Sequence, residues 1–234
     1  MKLLALVVSS ALISTATFAS DTFNFDYVGA GYAKFKLEDA DSSLNGFTVE
    51  ASKQLNENWA VSTQYMDTSH NERRSSVDEY YDATVRSDSE EKFDIAQWQL
   101  SAAYLIPLEQ NTLLEFVGTI GRMTFDYDHF YEQTIVQNKT SNSQSSLYGE
   151  PWHYEDRDHT STLGFEAYYH VALLDNFKAS AGLGYQHIKD ADEKNELVYQ
   201  FELAYDITND FTISATYRNV DVYENHFVTV RYNF

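Results

Sequence analysis

The sequence predicts an all-β fold, an antiparallel up-and-down transmembrane β-barrel of about ten strands. Three observations predict it. Segments of roughly nine to twelve residues alternate apolar and polar positions, tight turns alternate with longer connections, and the number of segments is even. Eight strands is the alternative if the first segment or a weaker pair is miscounted.

The first candidate strand is "YVGAGYAKFKL", and four hairpins and a last strand follow it. "GFTVEASKQL" turns at "NEN" into "WAVSTQYMD", and "AQWQLSAAYLI" turns at "PLEQN" into "TLLEFVGTIGRM". "STLGFEAYYHVAL" turns at "LDN" into "FKASAGLGYQHI", and "LVYQFELAYDI" turns at "TND" into "FTISATYRNV". "HFVTVRYNF" completes the set. In the fourth hairpin Leu197, Tyr199, Phe201, Leu203, Tyr205 and Ile207 share one face, and Gln200, Glu202 and Asp206 share the other. Strands of this length cross a bilayer when tilted.

The longer connections are residues 38–45, 67–92, 126–160, 189–196 and 221–225. Short turns on one side and long loops on the other suit turns in the periplasm and loops outside the cell. Around "NKTSNSQS", the flanks "HFYEQTIVQ" and "SLYGEPWHYED" predict a hairpin that continues above the membrane as a ribbon. The five connections carry 24 acidic and 8 basic residues, most of the chain's net charge of -20. So acidic a chain does not bind nucleic acid by neutralising phosphate. Against anionic lipopolysaccharide such loops call for divalent cations, and their stronger role is to keep the tips solvated.

The first residues, "MKLLALVVSSALISTATFAS", read as a secretory signal peptide, with cleavage expected after Ala19, so residues 20–234 form one exported domain. There is no cysteine, hence no disulfide framework. Aromatics are 15% of the chain at a mean hydropathy of -0.45. That combination fits strands in which every second residue is polar.

A soluble barrel hides its apolar face inside, whereas a membrane barrel turns it to lipid. Aromatics beside the short turns, Trp59, Tyr104, Phe177, Tyr205 and Phe211, suit a girdle at the headgroups, with Phe35, Phe47, Tyr65, Tyr185 and Tyr217 toward the other ends. The opposite face holds mid-strand polar residues, above all Glu115, Glu166, Glu202, Arg218 and Arg231, a lumen network in which Glu202 and Arg231 pair. A lumen blocked by paired charges conducts poorly.

The last residues, "FVTVRYNF", place Val228, Val230, Tyr232 and Phe234 at alternate positions. In this the chain resembles the outer-membrane β-barrels of Gram-negative bacteria, the small porin-like and OmpA/OmpX-type barrels, whose last strand ends in an aromatic residue. The resemblance implies that Val230, Tyr232 and Phe234 are read by the barrel assembly machinery and that the last strand closes against the first.

Chemistry is sparsely signalled. His129, His153 and His159 share a connection with Asp126, Asp128, Glu155, Asp156 and Asp158, but no HExxH or GxSxG spacing accompanies them. No catalytic, cofactor or metal residues are assigned. The expected function is a monomeric, non-enzymatic barrel in outer-membrane lipid and lipopolysaccharide, with a plugged lumen and a structural or surface-interaction role. A narrow porin-like channel for small solutes is the alternative. Beyond it stand a protease or lipid-modifying enzyme and a soluble periplasmic binding barrel.

Overall fold

The computed structural model describes residues 22–38, 42–80, 83–109, 111–138, 144–147, 150–189 and 195–234. The leader expected at residues 1–19 lies outside them. Among the described residues the strands are β1 (Tyr27–Leu37), β2 (Leu44–Asn56), β3 (Trp59–Glu79), β4 (Ala83–Glu109), β5 (Thr112–Asn138), β6 (Gln144–Leu147), β7 (Trp152–Leu174), β8 (Phe177–Ile188), β9 (Asn195–Asp206), β10 (Phe211–Val220) and β11 (Tyr223–Asn233). All but the short β6 close into a ring of ten antiparallel neighbours. The ring is sealed by β11 against β1, from Asn233 opposite Tyr27 to Tyr223 opposite Leu37.

Facing follows from the pleat, which sends successive side chains to opposite sides. On β7, Phe165 is 62% exposed and its neighbour Glu166 only 3%. The same inversion holds around the ring: Phe47, Leu100, Ile120, Leu183, Phe201 and Val230 are all exposed on the exterior. A water-soluble protein does not sustain so continuous an apolar belt. In hydrocarbon it is the surface of lowest cost.

Inside, the side chains lie in layers. Toward the long-hairpin end, Phe35, Leu44, Met66, Ile95, Met123, Ile188, Val198, Val220, Tyr223 and Phe227 form one buried apolar cluster with Ala33. Every barrel strand except β7 contributes to it. Phe93 and Phe125 pack on this cluster from the strand segments beyond it. At the short-turn end a second cluster holds Phe23 against Ala60, Ala103, Leu105 and Leu113, with Phe25 beside it. Both Phe23 and Phe25 precede β1, so the segment leading into the first strand turns into the barrel's own mouth.

Several expectations need correction. Residues 67–92 and 126–160, expected as loops apart from a possible ribbon in the second, are mostly strand, because β3, β4, β5 and β7 run far past the belt. Both faces of those segments are wet, so the hydrophobic period-2 signal is missing although the ladder is not. Residues 221–225 are not a long loop either, since β11 begins at Tyr223 and only two residues link it to β10. Phe35, placed in the outer girdle, is fully buried inside because its parity on β1 is that of Ala33. Pro107 lies within β4 beside a register shift, where a missing N–H is tolerated.

The facing yields a direct test. Phe201→Arg places a charge in the lipid belt and is expected to destabilise the refolded protein by about 2–4 kcal/mol. Gln64→Arg, on the interior wall, should cost much less; urea unfolding in lipid vesicles measures both.

Candidate functional site

Between the two apolar clusters lies a cavity of about 240 Å³, lined by residues from all ten barrel strands and from the segment before β1. Two arginines dominate its walls. Arg218 on β10 donates to both carboxylate oxygens of Glu166, at 2.5 and 2.8 Å, a bidentate pair that matches guanidinium geometry. It also donates to the amide oxygens of Gln200 and Gln186, each at 3.2 Å. The Tyr168 hydroxyl donates to the same Glu166 carboxylate. Gln186 in turn donates to the Tyr223 hydroxyl at 2.8 Å, tying this cluster to the apolar layer.

Arg231 on β11 makes the second cluster. It donates to Glu202 at 2.7 and 2.9 Å and, through Nε, to Glu50 at 2.7 Å. The hydroxyls of Thr216 and Thr229 donate to Glu202 and Glu50, at 2.9 and 3.0 Å. Its guanidinium lies 4.7 Å from the centre of the Tyr27 ring, a cation–π contact. One cation thus faces two carboxylates from strands on either side, and the surrounding hydroxyls complete the acceptors' needs.

A third pair joins Glu115 to His170 at 2.7 Å, and the rings of Phe23 and Phe25 meet His170 edge-on at 6.0 and 6.1 Å. Closer to the mouth, Asp26 accepts from Lys53 at 2.7 Å and from the backbone of Gln54 at 2.6 Å. Lys178 pairs with Asp206 at 2.7 Å. Glycines open the space these groups fill. A Cβ at Gly182 would stand 2.3 Å from the Tyr168 ring, and one at Gly29 would stand 2.9 Å from Glu50 and 3.1 Å from Arg231.

All five predicted lumen residues therefore point inward, divided among three pairings rather than joined in one network. Tyr168 and Tyr27 were missed by the sequence reading. For Tyr168 the available signal was Gly182, the inward-facing glycine directly opposite it on β8. The predicted girdle residues Trp59, Tyr104, Tyr205 and Phe211 are exposed on the exterior, and Phe177 is half-buried opposite Tyr205. Trp59 and Tyr104 meet edge-on at 5.1 Å. At the chain end Val230, Tyr232 and Phe234 are also exposed, and the backbone of Phe234 donates to Asp26 at 3.1 Å.

The histidines of residues 126–160 divide between two faces of the extended sheet. His153 lies 2.8 Å from Asp128 and 3.4 Å from Glu155, whereas His129 lies 3.9 Å from Glu91 on the other face. Arg157 beside Asp126 holds that carboxyl below the usual carboxylate range, and Arg73 with Asn71 does the same for Glu90.

No protein-family model matches the sequence, and no curated relative does. Solved structures do. The outer membrane protease OmpT from Escherichia coli superposes with a TM-score of 0.51 at 8% identity, over 94% of this chain and 100% of that one. The chain has the fold of an outer-membrane β-barrel. The NanC porin aligns at a TM-score of 0.43 and 12% identity over 89% of this barrel and 100% of that chain. Ail, the attachment invasion locus protein of Yersinia pestis, aligns at 0.38 and 14% over 89% and 97%. With its apolar belt, the fold places the barrel in the outer membrane.

Two tests follow from the interior. Arg218→Met leaves Glu166 buried without its cation and should cost about 3–5 kcal/mol in urea unfolding, and adding Glu166→Met should restore most of the loss. The lowered carboxyls of Asp126 and Glu90 stabilise the extended sheet above the ordinary carboxylate pKa of about 4. That contribution disappears as the pH falls through their lowered values. Hydrogen exchange corrected for intrinsic rates should therefore show the extended sheet losing protection as the pH is taken below the ordinary carboxylate range.

Proposed function

We propose that this protein is a closed, non-enzymatic outer-membrane barrel whose acidic outer sheet is its working surface. The apolar layer from nine of the ten barrel strands carries the reading. Such a layer sets bulky apolar side chains across the path of hydrated ions and small solutes, interrupted by buried polar groups such as Gln97, Gln186 and Asn225, and the cavity beneath it has room for only a small cluster of water. The Phe23 and Phe25 segment folds into the opposite mouth, with Phe23 packed against β3, β4 and β5. The pairing of Arg218 and Arg231 with carboxylates leaves neither as a fixed free charge to drive ion selectivity.

OmpT is named a protease, and that activity is not carried over. The His153, Asp128 and Glu155 contacts lie exposed on the flank of the extended sheet rather than in an enclosed cleft. Their ligand atoms all lie within 4.8 Å of one another, which suits a divalent cation held between the barrel and anionic lipopolysaccharide. The barrel acts as a monomer in this reading, since its ring leaves no unpaired strand at membrane depth. Val230, Tyr232 and Phe234 serve the barrel assembly machinery, as the resemblance of the last strand implies.

Purified refolded protein in planar bilayers is expected to show no conductance steps. Deleting residues 20–25 alone should leave it silent, because the outer apolar layer remains. Combining that deletion with Phe35→Ala, Met66→Ala and Phe227→Ala should open small, measurable steps. A conducting wild-type barrel would instead establish the narrow-channel function.

A further inference from the structure

Beyond the belt, β3, β4, β5 and β7 continue as a four-stranded sheet on one side of the mouth. Among the described residues its β7 margin is unpaired beyond Ser161, whose carbonyl accepts from Lys189 at 3.0 Å. β8 meets β7 only over residues 162–174, and among the described residues no strand pairs with residues 152–159 on that side. These residues therefore present a row of backbone N–H and C=O groups; the His159 N–H is already donated to the Asp158 carboxylate at 2.7 Å, and the others offer the template that an added strand requires.

The side chains beside that margin have a definite chemistry. Directly opposed residues of a ladder share a face, so Glu91, His129 and Tyr154 lie together, as do Tyr127 and Asp156. The Trp152 and Tyr154 rings lie parallel within 6° at 5.9 Å, Trp152 meets His129 edge-on at 5.1 Å, and Tyr127 lies 6.2 Å from Tyr154. Trp152 is 51% and Tyr154 44% exposed. Burial first, and then the nearby Glu91, push the Tyr127 hydroxyl above its ordinary value. Exposed rings beside carboxylates attract cations.

The occupant must satisfy both features. A neutral glycan stacks on rings but leaves the backbone margin unpaired. A second copy could pair the margin, yet two chains of net charge -20 repel. We infer that residues 152–159 of β7 take an extended, lysine- or arginine-rich polypeptide segment as an added antiparallel or parallel strand. Its alternate cationic side chains lie over Trp152 and Tyr154 and against Asp156. The inference holds whether or not the lumen conducts.

The chain has three tryptophans, so Trp59→Phe with Trp98→Phe leaves Trp152 as the lone reporter. Full-length refolded protein in detergent micelles is titrated with a peptide of alternating lysine and threonine, and heat-modifiable gel mobility confirms the fold of each variant. A saturable fluorescence change is expected. Tyr154→Ala should weaken it roughly tenfold, as should Asp156→Asn. Methylating alternate backbone nitrogens of the peptide should abolish it, because strand pairing is then blocked while charge is kept. Equal binding of the methylated peptide would overturn the inference, leaving only diffuse charge attraction. So would an unchanged affinity in Tyr154→Ala, a response to maltohexaose but not the peptide, self-association of the protein without it, or no response at all.

Discussion

Closure of the backbone ladder is the constraint on which everything else rests. Hydrocarbon offers no partner to a free N–H or C=O, so a sheet crosses a membrane only when its first and last strands meet. Here β1 and β11 pair along their whole lengths. Once the ring is closed, the pleat permits one exterior and one interior, and the sequence must serve two solvents with alternate residues. Phe165 and Glu166, adjacent in the chain, show both obligations met by neighbouring positions.

The interior of a ten-stranded ring is too wide to be filled by small residues and too narrow to stay dry if it is polar throughout. This chain divides the problem along the barrel axis. Large apolar side chains span the outer half, where Met66, Met123 and Phe35 supply bulk. Charged pairs occupy the middle, where each guanidinium is matched by carboxylates and the carboxylates by hydroxyls. A leading segment of two phenylalanines narrows the far end. Burying charge costs much less when donors and acceptors are satisfied, and most of those on Arg218 and Arg231 are, with Arg218 Nε left as a buried donor without a partner among the described residues.

The strands and their facing were legible because lipid imposes a strong period-2 signal, as on β9 with Phe201 outward and Glu202 inward. The pairing of Glu202 with Arg231 was also legible from position counts. Glu50 as Arg231's other partner was not, since tilt and stagger bring together residues that sequence distance separates. The apolar inner layer escaped notice for a different reason: Phe35 and Phe227 look like lipid-facing residues until the parity of their strands is known. The outer sheet was partly illegible because water wets both its faces, which leaves cross-strand pairs such as Arg73 with Glu90 as the only pattern.

The sheet beyond the belt is continuous with the barrel wall, strand for strand. From Asp94 outward to Ala83, β4 covers twelve residues, about 40 Å at the usual rise per residue. From Asp94 to Val85 the ladder with β5 runs in one register, and a shift between Thr84 and Val85 marks only its tip. A pull on its tip, directed along the strands, would load many cross-strand hydrogen bonds at once in shear rather than peel them singly. The ladder that lets the chain cross lipid is thus also a mechanical tether, able to pass tension from a captured partner into the anchored ring.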